Sequence, residues 1–265
     1  MPHFPCLEIP LRDPKEFQEY NYKGASFVLG DFPGESIEGK AILDLGCGDG
    51  GKTVYYACHG ARKAVGVDPN PRKFPLAQNF AQERNCQNGV EFISASGTDL
   101  PLKEETFDSI ISSSVLEHVD REELLPLFSE CYRVLKKGGQ FLVRFHPYRS
   151  RLGTHINFYV AIPWCQYFFH EQVLLEIVKE RHLQRMSSGG DHFYDSTKLM
   201  ASKHLWEINH LNRLTLKEFE SIIKQTPFRI AKRYPSNKGL ERFLARLPLI
   251  REFLTNHGVY VLEKT

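Results

Sequence analysis

The chain has 265 residues, 42% hydrophobic and 25% charged, with a mean hydropathy of −0.36 and a formal net charge of +2. This composition supports a packed core in one large domain, or a domain plus a subdomain, and excludes disordered and fibrous classes. No apolar run approaches the ~18 residues of a membrane helix. The first residues, MPHFPCLEIPLRDPKEF, lack the order of a secretory leader, so the cytoplasm is the expected location.

In chain order, AILDLG (41–46), KAVGVD (63–68), VEFISA (90–95), FDSIIS (107–112) and QFLVRF (140–145) are short apolar runs that read as buried strands. Segments 51–60, 71–85 and 120–137 between them are long enough for helices. Such alternation predicts a parallel sheet covered on both faces. Asp120 with Glu123 has the spacing of a capping box, with Pro126 restarting the helix one turn later and Gly138-Gly139 ending it. Thr215 with Glu218 has the same spacing. FRIAKRY (228–234) and GVYVLEK (258–264) read as late strands, expected as an antiparallel pair at the sheet edge. Residues 146–213 break the alternation and are rich in aromatics, so they read as an inserted cap over the strand ends.

The six cysteines show no C-x-x-C pair and no zinc spacing with histidine, so no metal site is expected and all six read as reduced thiols. Net charge is −6 over residues 1–139 and +8 over 140–265. The excess fits either solvated helix faces or a second half that meets something anionic.

The first strand runs into Asp44-Leu45-Gly46-Cys47-Gly48-Asp49-Gly50-Gly51. Gly46, Gly48 and Gly51 satisfy the dinucleotide fingerprint G-x-G-x-x-G; Gly46, Gly48 and Gly50 satisfy G-x-G-x-G, which suits S-adenosylmethionine. A pyrophosphate at this turn would face the carboxylates of Asp44 and Asp49, which is unfavourable in a partly desolvated site. The ammonium and sulfonium of S-adenosylmethionine would be attracted instead, so Asp44 favours that cofactor. Asp68, ending the second strand, is placed to accept hydrogen bonds from ribose hydroxyls with either ligand.

The sequence now resembles the class I S-adenosylmethionine-dependent methyltransferases. ILDLGCGDGG (42–51) is similar to their first motif and VGVDPN (65–70) to the ribose segment. DLPLKEETFDSIISSSVLEHV (99–119) resembles the fourth-strand motif, and YRVLKKGGQFLV (132–143) the approach to strand five. The nearest flavour is the methyltransferase type 11 branch that includes quinone-biosynthesis C-methyltransferases. The resemblance implies an α/β, Rossmann-like, doubly wound seven-stranded sheet, mostly parallel with an antiparallel edge strand. The implied organisation is a lid segment 1–37, a cofactor-binding core 38–145, the cap 146–213 on the acceptor side, and residues 214–265 completing the sheet. It also implies that the backbone of Gly46, Cys47 and Gly48 faces the methionine part of the cofactor, that Ser96 and Gly97 lie near the adenine, and that Ser112 and Ser113 border cofactor and acceptor. Family members usually carry an acid where Ser96 stands; its absence here puts the adenine contact in question.

Methyl transfer is an in-line displacement, so position and exclusion of water matter most, with a general base where the acceptor must lose a proton. The candidate bases are His146, directly after strand five; His155, in the cap; and His118, after Leu116-Glu117. Arg144, Arg149 and Arg151 are the candidate acceptor-binding residues. Their forks suit carboxylate or phosphate, so an anionic or carrier-linked small molecule is the expected acceptor, methylated on oxygen rather than carbon. An RNA- or protein-modifying enzyme and a non-catalytic binding module are the alternatives. Against a nucleic acid, Ser112-Ser113-Ser114-Val115 stands where an amino-methylating enzyme has N/D-P-P-Y/F, and no separate basic module is present.

Overall fold

The computed structural model describes residues 13–151, 156, 159–187, 196–205, 207, 211–235, 247 and 250–265. Seven strands form one sheet: β1 (Ala41–Leu45), β2 (Lys63–Asp68), β3 (Val90–Ser94), β4 (Phe107–Ser113), β5 (Leu135–Phe145), β6 (Phe228–Pro235) and β7 (Gly258–Lys264), in the order β3-β2-β1-β4-β5-β7-β6. β1 to β5 pair in parallel. β7 is antiparallel to both β5 and β6, so it alone runs against the rest.

All five residues of β1 are buried, because helices cover both faces of the sheet. The two-residue period sorts the strands cleanly. Leu43, Leu45, Val65, Val67, Ile110, Phe141, Val143, Tyr260 and Leu262 pack in one core layer. Ile42, Ala64, Ile111, Leu142, Val259 and Val261 pack in the other. The first layer is closed by α4 (Leu124–Val134) and α8 (Leu216–Ile223), the second by α1 (Pro14–Gly30) and α2 (Gly51–Cys58). α3 (Phe74–Glu83) packs its Phe80 and Ala81 on Val54 of α2.

The expected capping box at residue 120 does not form. Arg121–Glu123 make a separate 3₁₀ turn, α4 starts at Leu124 without a side-chain cap, and β5 takes over at Leu135 because that residue pairs with Phe107. Sheet pairing therefore ends the helix before Gly138. The box at Thr215 does form, with Glu218 N–H donating to Thr215 Oγ1 and Thr215 N–H donating to Glu218 Oε2.

In the cap, α5 (Cys165–Phe168), α6 (Glu171–Ser187) and α7 (Ser196–Ala201) share a small core of their own around Tyr159, Leu174, Leu175, Val178 and Leu199. The last helix, α9 (Arg251–Leu254), leads into β7.

Cys58 and Cys86 form a disulfide, with Cα atoms 5.6 Å apart, contrary to the expectation that every cysteine is a thiol. α2 ends at Cys58 and Cys86 follows α3, so the packing of two helices joins residues 28 apart in sequence. No local pattern marks that pairing. Cys47, Cys131 and Cys165 are free and buried.

Candidate functional site

A cleft of about 770 Å³ opens at the carboxyl ends of the parallel strands, where the segments leaving the paired β1 and β4 pass to opposite faces of the sheet. This is where an open α/β sheet forms a ligand crevice. Its walls come from the glycine loop after β1, Asp68 at the end of β2, Ser96 to Thr98 after β3, Ser113 to Val115 at and beyond the end of β4, and Arg144 and His146 at the end of β5. Because β7 runs in reverse, the residue before it, His257, reaches the same edge.

The glycine loop follows from close packing. Gly46 has φ +72°, and a Cβ there would lie 2.3 Å from Val115 Cγ2. Gly51 serves a different contact: a Cβ on it would lie 2.5 Å from Gln18 O of α1. That close approach lets Gln18 Nε2 donate to Asp49 O (2.7 Å) and Asn21 Nδ2 to Asp49 Oδ2 (2.6 Å). α1 is thereby fastened over the loop, and Phe17, Tyr20, Gly24 and Phe27, spaced as one helical face, line the cleft mouth.

The loop's amides are already engaged. Gly46 and Cys47 N–H donate to Val67 O (2.8 and 3.0 Å), Gly48 N–H to Asp68 Oδ2 (2.9 Å), Gly50 N–H to Cys47 O (3.0 Å) and Gly51 N–H to Asp49 Oδ1 (3.0 Å). An anion-binding turn needs those donors. Asp44, Asp49 and Asp68 also surround the loop. Burial, reinforced by these three carboxylates, pushes the Cys47 thiol far up and keeps it protonated. The turn therefore presents negative potential and few donors, which suits a cation and disfavours a diphosphate.

Asp68 accepts from Gly48 N–H at one oxygen and from Asn70 N–H (2.9 Å) at the other. A carboxylate offers about four acceptor sites, so it retains capacity for two hydroxyls. Asp44 sits differently from the expectation. It is 2% exposed, does not line the cleft, and accepts a hydrogen bond from Thr53 Oγ1 (2.6 Å). Burial pushes its carboxyl up to about 6. Its influence on a ligand is through the local potential rather than by contact.

At the other end of the cleft, Ser113, Ser114, His118, Arg144, His146 and His257 come together. His146 Nδ1 lies 2.8 Å from Glu117 Oε1, and the His146 backbone N–H donates to the same oxygen (3.2 Å). Arg144 Nε donates to Asp31 Oδ2 (2.7 Å) and its Nη2 to His257 Nε2 (2.8 Å).

The structure thus gathers Gly46, Cys47, Gly48, Asp68, Ser96, Gly97, Ser113, His118, Arg144 and His146 on one cleft. Ser112 is fully buried in β4 and does not line it. Arg149 and Arg151 do not line it either, and Arg144 is already paired with Asp31, so no three-arginine cluster forms there. The chain turns away after His146, with Tyr148 N–H bonded to Leu214 O, and carries both arginines off toward the cap. His155 lies outside the described residues. Sequence reasoning missed the α1 face, Glu117 and His257. The first was detectable as a Phe17/Tyr20/Gly24/Phe27 stripe after the Asp13-Pro14 helix start.

Residues 43–143 match the methyltransferase domain family. A fatty-acid O-methyltransferase from Mycolicibacterium smegmatis is 31% identical over 144 residues, 52% of this chain and 47% of that one. A sterol 24-C-methyltransferase from Pneumocystis carinii is 31% identical over 104 residues, 39% of this chain and 27% of that one. The chain thus spans less than half the length of these relatives. A solved structure, geranyl diphosphate C-methyltransferase from Streptomyces coelicolor, aligns with a TM-score of 0.57 at 14% identity, covering 95% of this chain and 82% of that one. That likeness is one of fold. Residues 43–143 thus resemble a methyltransferase domain, and the sheet around them shares the fold of that solved structure.

The cofactor such a domain takes is S-adenosylmethionine, and the residues present fit it. Three carboxylates around the loop favour its cationic end, the saturated loop amides ask for no anion, and Asp68 has acceptor capacity for a ribose.

Proposed function

We propose that the protein is an S-adenosylmethionine-dependent methyltransferase of a small molecule that has an apolar body and a proton-bearing heteroatom. The observation that carries this reading is the glycine loop, with its amides at Gly46, Cys47, Gly48, Gly50 and Gly51 internally bonded and carboxylates around it. When bound, S-adenosylmethionine supplies an electrophilic methyl group whose S–C electron pair leaves with sulfur.

The chain's own part is to hold, orient and dehydrate. Asp68 binds the ribose, while Ser96, Gly97 and Thr98 border the base. Phe17, Tyr20 and Phe27 form an aromatic wall for the acceptor's apolar body and exclude water. His146, at the other end, accepts the acceptor's proton, a role that favours oxygen over carbon as the methylated atom. The wall agrees with relatives named for a fatty acid and a sterol. An anionic group on the acceptor would meet Lys52 or Lys73, the cleft's other cations.

The test is calorimetry with S-adenosylmethionine and with NAD, followed by incubation with methyl-labelled cofactor and a panel of fatty acids, sterols and glycosides. Saturable binding of the sulfonium compound, no binding of NAD, and label in one panel member are expected. NAD binding in place of the sulfonium compound would overturn the reading. Cofactor binding with label appearing only in RNA or protein would replace the acceptor class.

A further inference from the structure

We propose that Glu117 is a positioning residue: it fixes His146 as the Nδ1–H tautomer and makes Nε2 the basic nitrogen at the acceptor end of the cleft. Arg144, donating to Nε2 of the neighbouring His257, sets that ring's orientation as well. This rests on the methyltransferase reading above and adds to it the residues that prepare the base.

Glu117 lies in the 3₁₀ turn Leu116–His118 just after β4 and is fully buried. It does not line the cleft, so it acts through His146. One oxygen, Oε1, receives the His146 backbone N–H at 3.2 Å and faces ring Nδ1 at 2.8 Å. Sharing one acceptor between backbone and ring clamps the imidazole's orientation. A carboxylate oxygen accepts, so Nδ1 carries a proton, and in the neutral ring the lone pair lies on Nε2.

The neighbouring ring is set from the opposite side. A guanidinium has no acceptor, so the 2.8 Å contact from Arg144 Nη2 makes His257 Nε2 the accepting nitrogen and leaves its proton on Nδ1. Asp31, at the end of α1, balances Arg144 by accepting from Nε. The two rings meet edge to face, with centroids 4.6 Å apart. Among the groups around His146 are Glu117 and Ser114 from the segment after β4, His257 ahead of β7, and, through His257, Arg144 of β5 and Asp31 of α1. As the acceptor atom forms its bond to the methyl carbon, its proton passes to His146 Nε2. The imidazolium, opposed by Glu117, then returns the proton to solvent. Orientation and charge compensation by a buried carboxylate are the service an aspartate renders the histidine in serine proteases.

Long-range ¹⁵N–¹H NMR of the imidazole nitrogens at neutral pH tests this, with His146→Ala and His257→Ala assigning the two rings. The wild-type His146 is expected to show a protonated Nδ1 and a bare Nε2. Glu117→Gln, whose amide oxygen still accepts, should preserve that pattern; Glu117→Leu should shift the ring toward the tautomer mixture of a solvated imidazole. A wild-type His146 protonated on Nε2, or a pattern unmoved in Glu117→Leu, overturns the proposal. The wild-type and Glu117→Gln spectra decide it even if Glu117→Leu does not fold. Calorimetry with S-adenosylhomocysteine on the wild-type protein separates the two readings. No binding there removes the methyltransferase function, whereas binding alongside an Nε2–H ring removes only the positioning role.

Discussion

Asp44 shows how a side chain can shape a ligand site without touching it. Burial lifts its carboxyl from 3.8 to about 6, so the folded state holds its proton more tightly than the unfolded chain does. Its contribution is fully present below about pH 4 and lost as pH rises through 6, at a cost of about 3 kcal/mol once the group is ionised. Asp44→Asn, which can still accept from Thr53, is expected to be more stable than the wild type above pH 6. The advantage should fade toward pH 4 in urea denaturation at stepped pH, and a gap independent of pH would show that burial is not its source. Asp68 is the complementary case, exposed to the cleft and spending only part of its acceptor capacity. Asp68→Ala is expected to weaken cofactor binding by about 10- to 100-fold, the scale of hydrogen bonds to a charged group, and unchanged affinity in calorimetry would refute the ribose contact. Both aspartates stand out in sequence because loop and strand end lie close along the chain, but the burial of Asp44 behind the loop was not legible there. The Asp31–Arg144 pair was not: its partners are 113 residues apart, and nothing in the spacing foretells that one neutralises the other.

The elements most exposed to test are those whose contact depends on a missing side chain. α1 lies on the loop because Gly51 has no Cβ. Gly51→Ala should push Gln18 away, release both hydrogen bonds to Asp49 and lower stability by about 1–3 kcal/mol, the usual cost of overpacking. Faster amide exchange through α1 together with weaker cofactor binding is the expected result; unchanged exchange would mean that the helix is held by its other contacts. The strands were readable from short apolar runs, and the structure places all seven where those runs lie. The boundary between α4 and β5 was not, because cross-strand pairing at Leu135 outweighs the local glycine stop signal. α1 divides its apolar residues, with Ala25 and Val28 in the core and Phe17, Tyr20 and Phe27 on the cleft, so its pattern does not match the single apolar stripe expected of a buried helix.

For the whole molecule, the charge asymmetry between the halves has a partial structural answer. Lys232 binds Glu35 and Arg144 binds Asp31, so cations of the second half meet carboxylates of the first. This cross-pairing was invisible in the totals, which pointed equally well to an anionic partner. Among the described residues, the cap has a core of its own, separate from the two sheet layers and built from fewer residues. Local opening follows apolar contact density, so α6 is expected to exchange its amides well before β1, β4 and β5, and uniform exchange would show that cap and sheet open as one. The disulfide adds a check at the same scale: titration of the denatured, unreduced chain should find two thiols fewer than after reduction. Equal counts would return Cys58 and Cys86 to the thiol state.

The reversal of β7 has one more consequence. Strands β1 to β5 meet the cleft with their exits, but this one arrives with its entrance, so His257 reaches the cleft from a part of the chain remote from the glycine turn. On the function proposed above, a change at His257 would retune the acceptor end of the cleft while leaving the turn beside the methyl donor as it is.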